Sequence, residues 1–207
     1  MKLYYFETMN PRKVCALAKH LGSPVEYVRT DLGQGAHKAP DYLARNPNGL
    51  VPLLVDNGRS IWESTAIMVY LAQKSGSEMW PARDPDKLVE VMRWLSWDTG
   101  HWAPVTGTFY FERAIKPMLG LGEPDEAMLE NMQRDFHRFA KVLDQQLATR
   151  RFLAGDSMTI ADFATAVLLP YSDQIKLPIV DYRSIGRWHN ELMQLDAWRN
   201  PWPDQAH

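Results

Sequence analysis

With 207 residues, 45% hydrophobic and 23% charged, the chain has the size and composition of a protein that buries a core, which sets aside a largely disordered polymer. A formal net charge of −2 advertises no broad basic surface, so no nucleic-acid partner is expected. The lone cysteine, Cys15, excludes an intrachain disulfide, a CxxC redox pair and a Cys-rich zinc site, and the six histidines show no HExxH spacing. No metal is therefore expected. The apolar start, Met1 to Phe6, is too short for a signal-peptide core, and no run approaches the ~18 apolar residues of a membrane span. A cytoplasmic location with no membrane partner is the resulting expectation.

Leu3 to Phe6 reads as a buried strand. Asn10-Pro11 reads as an N-cap followed by proline at the first helical position. Val14, Leu17, Ala18 and Leu21 then share one helix face, and Gly22 ends it. Pro24 to Asp31 reads as a second strand, completing a β-α-β unit with parallel strands. A polar loop runs from Gly33 to Pro40, with at most a short helix over Asp41 to Arg45. Asn46-Pro47-Asn48-Gly49 follows, then a strand from Leu50 to Val55 interrupted by Pro52. Asn57-Gly58 predicts a type I′ hairpin turn, and Ser60 to Trp62 the returning strand. Ser64 or Thr65 caps a helix to about Lys74.

Beyond a linker over 76–86 the periodicity is helical throughout. Leu88 to His101 carries Val91, Trp94, Leu95 and Trp97, and Phe136, Phe139, Ala140, Leu143 and Leu147 form a second stripe. Thr159-Ile160-Ala161-Asp162 fits a capping box that opens an apolar helix through Leu169. Ile185 to Leu195 is another short helix, and the tail from Asn200 is irregular. The expected organisation is an α/β domain over 1–75, a linker over 76–86 and an all-helical domain over 87–207.

In this order of elements, and in four local motifs, the chain resembles the cytosolic glutathione transferase superfamily over essentially its full length. Its general likeness is to the serine-type theta and zeta classes and bacterial relatives. The resemblance implies a thioredoxin-like N-terminal domain that holds glutathione and an all-helical C-terminal domain. In the family, the proline matching Pro52 is cis and exposes the backbone of the residue before it, here Val51, to pair with the cysteinyl part of glutathione. The pair matching Glu63-Ser64 binds the γ-glutamyl end, with Ser64 at a helix N-terminus that suits a carboxylate. His37 and Lys38 fall where the glycine end is contacted. Thr8 stands where serine-type members carry the hydroxyl that stabilises the thiolate, four residues before Arg12; Tyr5 is the alternative donor. Glu7 would oppose a thiolate if it pointed inward. Cys15 lies within the helix, away from its N-terminus, and reads as a buried structural thiol.

Trp97, His101 and Trp102, with Trp94 and Tyr110, lie on the helix that lines the second-substrate pocket in the family. The implied activity is that of a glutathione transferase: glutathione serves as co-substrate with no permanently bound cofactor, and its thiolate adds to a small apolar electrophile. A homodimer and a role in detoxification come with the resemblance. The alternative is a non-catalytic glutathione- or protein-binding module of the same fold, because threonine replaces the usual serine at residue 8.

Overall fold

The computed structural model describes residues 1–203, and the chain divides into two compact units. Met1–Ala82 together with the chain from Gln194 onward forms one, and Arg83–Met193 the other.

In the first unit, β1 (Lys2–Tyr5), α1 (Met9–His20) and β2 (Glu26–Arg29) make the expected parallel β-α-β. A 3₁₀ turn at Ala36–Lys38 and the short α2 (Pro40–Leu43) lead to β3 (Leu53–Asp56) and β4 (Arg59–Trp62), followed by α3 (Ser64–Ser75). The sheet order is β2-β1-β3-β4, with β3 antiparallel to both neighbours. Asn57 and Gly58 both take positive φ between β3 and β4, as a type I′ turn requires. Leu3, Leu53 and Leu54 of the sheet are buried, as are Val14, Leu17 and Ala18 of α1 and Ile67, Met68 and Leu71 of α3.

Two boundaries differ from the sequence reading for local reasons. Helix α1 begins before Asn10-Pro11: Thr8 is its N-cap, with extended φ −128° and ψ 170°, and Pro11 sits within the first turn, where its missing N–H costs nothing. Ser64 is the first residue of α3 and not its cap; the cap position falls to Glu63.

The C-terminal segment from Gln194, expected in the helical domain, belongs to the sheet unit. Within it α10 (Asp196–Arg199) packs on α1. Trp198 is fully buried beneath the Arg12 guanidinium, which lies 4.6 Å from its ring and donates to its carbonyl at 2.6 Å. Lys19 donates to the Asn200 and Trp202 carbonyls at 2.9 and 2.5 Å, and Trp202 stacks on Tyr5 at 6.0 Å. As far as Trp202 the irregular tail is thus held by α1 through backbone carbonyls, which leave no signature in side-chain pattern, and its last four residues lie outside the described ones.

The second unit is helical. Its first rod joins α4 (Pro85–Trp97), α5 (Ala103–Tyr110) and α6 (Lys116–Met118) through π-helical turns at Asp98–Trp102 and Phe111–Ile115. Each π turn stands just before a proline, Pro104 or Pro117, whose ring would otherwise meet the carbonyl four residues back. Then come α7 (Glu126–Thr149), α8 (Ile160–Thr165), a 3₁₀ turn at Leu169–Tyr171, and α9 (Arg183–Leu192). The predicted helix through Leu169 stops at Thr165. The predicted stripe buries Phe136, Ala140, Leu143 and Leu147 on one face of α7. At α8 the capping box forms, and Asp162 also accepts from Leu153 N–H and the Trp188 indole, each at 3.0 Å.

Candidate functional site

The sheet unit carries a hollow of about 50 Å³ lined by Asn10, Asn46, Asn48, Leu50, Val51, Pro52, Glu63 and Ser64. The Val51–Pro52 peptide bond is cis. The paired register of β3 begins only at Leu53, and Val51 enters no loop backbone hydrogen bond among the described residues. An N–H and a C=O beside the hollow are thus left for a partner with an extended backbone of its own. Ser64, also in the lining, opens the twelve-residue α3. Its hydroxyl and the N–H groups of the first turn, which have no partner within the helix, are donors of the kind that suit an anion. Glu63 takes φ +68° and ψ 118°, outside the left-handed helical well, a conformation that costs a non-glycine residue about 1–3 kcal/mol. Such strain beside a hollow is itself a functional signal.

Thr8, His37 and Lys38 do not line this hollow. Thr8 donates its N–H to Phe6 C=O at 2.7 Å, and among the described residues its hydroxyl makes no capping bond to α1. Glu7 is occupied: its carboxylate accepts from Arg29 Nε at 2.8 Å, which offsets the charge beside Thr8. Tyr5 is buried between Tyr27 and Trp202, and burial raises its phenol pKa, so it is a core aromatic. Burial pushes the Cys15 thiol up to about 12, as an inert core thiol should be. His37 Nδ1 is buried without a hydrogen-bond partner among the described residues. Burial, with Lys38 adding to it, lowers its pKa and keeps the ring neutral near pH 7. The Lys38 ammonium donates to Gly49 C=O at 3.0 Å.

Three lining residues carry no signal that the sequence reading used. Asn10 looked like a cap, and Asn46 and Asn48 looked like turn residues. Asn46 is buried; its side chain donates to Leu50 C=O at 2.7 Å and accepts from Asn48 N–H at 3.2 Å.

In the helical unit the aromatic cluster divides. Trp102 is only 2% exposed and its indole N–H donates to Thr165 C=O at 3.0 Å, so it is a core residue and drops out of any pocket wall. Trp97 stacks on it at 6.1 Å. Trp97 also lines a cavity of about 180 Å³ with Arg93, Trp94, Val142 and Gln146. His101 is exposed and stacks on Phe139 at 5.2 Å. Among the described residues no three His, Cys, Asp or Glu side chains gather as a metal site, and no helix is long and apolar enough to cross a membrane.

Family models for the N-terminal and C-terminal domains of glutathione S-transferase match residues 1–73 and 101–196. Glutathione S-transferase 3 of Zea mays is 37% identical over 174 residues, covering 82% of this chain and 77% of its own length. The chain belongs to the glutathione S-transferase family. The probable glutathione S-transferase GSTF2 of Oryza sativa is 33% identical, over 93% of this chain and 91% of its own. A solved glutathione S-transferase III in apo form superposes with a TM-score of 0.84 at 31% identity, covering 97% of this chain and 94% of its own. Glutathione S-transferase-I bound with lactoylglutathione superposes with a TM-score of 0.90 at 25% identity, covering 97% of each chain. These relatives are plant phi-class enzymes, a better match than the theta- and zeta-like subclass expected from the sequence. The fold is that of a glutathione transferase, and with it come the transferase activity and glutathione as co-substrate.

Proposed function

We propose that the hollow between Val51 and Ser64 holds the γ-glutamyl and cysteinyl parts of glutathione, and that the enzyme adds its thiolate to a small apolar electrophile. The observation that carries this reading is the convergence of an unpaired Val51 backbone, the N-terminus of α3 and the strained Glu63 on one hollow. Val51 pairs with the cysteinyl backbone, with Pro52 ending the ladder beside it. Ser64 and the first N–H groups of α3 take the γ-glutamyl carboxylate, and the Glu63 carboxylate takes the ammonium group. His37, as a neutral donor, serves the glycine end, with Lys38 beside it.

Thr8 donates its hydroxyl to the sulfur. A free thiol titrates near 8.5, and a donor at a helix N-terminus favours the anion. The thiolate attacks the electrophilic carbon, and the rate gain comes from holding both reactants together and from stabilising the anion. Trp97 and His101 remain the residues proposed for the apolar co-substrate. The chain is further proposed to be cytoplasmic and homodimeric; exposed Val89 and Met92 on α4 supply apolar area for a partner copy.

Ser64→Ala is expected to weaken glutathione binding by about 1–3 kcal/mol in calorimetric titration, because a carboxylate loses a charge-assisted partner. Unchanged affinity in the folded variant would remove Ser64 from the site. Thr8→Val is expected to retain most of the binding and to raise the pKa of the bound thiol, read from thiolate absorbance against pH. An unaltered titration would pass the donor role to backbone amides of α1.

A further inference from the structure

Three side chains spaced four residues apart, Lys38, Tyr42 and Asn46, donate to two successive carbonyls. Lys38 Nζ reaches Gly49 C=O at 3.0 Å. Tyr42 Oη and Asn46 Nδ2 both reach Leu50 C=O at 2.7 Å. Tyr42 and Asn46 are buried, and Gly49 N–H returns to Asn46 C=O at 2.9 Å. Gly49 has φ +57°, and a Cβ there would stand 2.8 Å from Lys38 Nζ and 3.1 Å from His37 C=O. The loop therefore lies directly on the 3₁₀ turn and α2.

The Leu50–Val51 peptide is trans, and in a trans peptide the C=O and N–H point opposite ways. Two donors that hold the Leu50 carbonyl toward α2 therefore aim the Val51 N–H away from α2. We infer that Lys38, Tyr42 and Asn46 are positioning residues, which orient the Val51 backbone for glutathione by gripping the Gly49 and Leu50 carbonyls. This rests on the functional reading above, in which Val51 pairs with the cysteinyl backbone. It gives Lys38 a role through the loop in place of one confined to the glycine carboxylate.

The two roles separate with a truncated ligand. γ-Glutamylcysteine lacks the glycine carboxylate but keeps the cysteinyl backbone. Lys38→Met, Tyr42→Phe and Asn46→Ala are titrated calorimetrically with glutathione and with γ-glutamylcysteine, beside the wild type. Turnover is followed with a chlorodinitrobenzene-type electrophile. Each variant is expected to lose about five- to tenfold in affinity, a hydrogen bond's worth, by the same factor for both ligands. KM for the thiol rises while kcat at saturation stays within about twofold, because the gripped backbone acts on binding and not on the sulfur.

A loss at Lys38→Met confined to glutathione would overturn the positioning role of Lys38 and make it a direct glycine contact. Unchanged affinity of Tyr42→Phe and Asn46→Ala for both ligands would overturn the grip as a whole. Tyr42→Phe keeps the ring that stands edge-on to Tyr4 at 5.9 Å, so it decides the matter if Asn46→Ala does not fold. A wild type that binds neither ligand overturns the functional reading and this inference with it. Binding by the wild type with indifferent variants overturns the inference alone.

Discussion

Asp162 in the helical unit and the Leu50 carbonyl in the sheet unit are both polar groups gripped by several donors, yet their surroundings end differently. The Asp162 carboxylate accepts from the N–H groups of Leu153 and Thr159, the Thr159 hydroxyl and the Trp188 indole, at 2.8 to 3.1 Å. The helix start, the preceding loop and α9 are closed upon one another there. At Leu50 the grip is as tight, but the next residue, Val51, is left outside the sheet register beside a hollow. A buried polar cluster whose every member has a partner fixes a fold. One that ends on a backbone unit with open hydrogen-bonding capacity presents that unit to a ligand.

The largest effect is expected where the network is closed. Asp162→Ala strands three buried N–H donors and should destabilise the protein by about 3–5 kcal/mol in urea unfolding, without any glutathione-specific loss in protein that remains folded. A variant near wild-type stability would show that the box is dispensable. Next comes Gly49→Ala. Forcing a side chain into a left-handed position, against Lys38 and the His37 carbonyl, should cost about 1–2 kcal/mol. Glutathione affinity should fall alongside stability. A stability loss with intact affinity would uncouple the loop from the site and leave the two clusters alike in role.

A third test concerns pH. Burial pushes the Asp162 acid up to about 6 from an ordinary 3.8, against the pull of its hydrogen bonds. The folded state thus holds this proton more tightly than the unfolded one. Its contribution to stability is complete below about pH 4 and is lost as pH rises through 6, at about 1.4 kcal/mol for each tenfold difference in proton affinity. The stability margin of wild type over Asp162→Asn should shrink between pH 4 and 6.5. A margin that widens would show that the four donors outweigh burial.

Much of this was legible in residues alone. The β-α-β start, the Asn57-Gly58 turn, the capping box and the stripe on α7 all follow from local periodicity and turn chemistry, which act over a few residues. Pro52 beside Val51 and the Glu63-Ser64 pair were legible as site candidates because their flanking order is distinctive. Asn46 was not, since Asn-Pro-Asn-Gly reads as a turn whether or not its first side chain grips a carbonyl. The burial of Trp102 was also hidden. It follows Trp97 and His101 in the same helix, and the π turn that decides which way each side chain faces comes from a proline further on.

By itself the sequence determined the elements, their order and the family, because apolar period and turn residues act locally and leave a readable pattern. Only the tertiary structure decided where the C-terminal segment goes and how the loop before Val51 is held. Both depend on side chains donating to backbone carbonyls outside their own helices, Arg12 to the distant Trp198 and Tyr42 to Leu50 in the loop beyond α2. A carbonyl is the same at every residue, so no letter of the sequence marks the one that will be gripped.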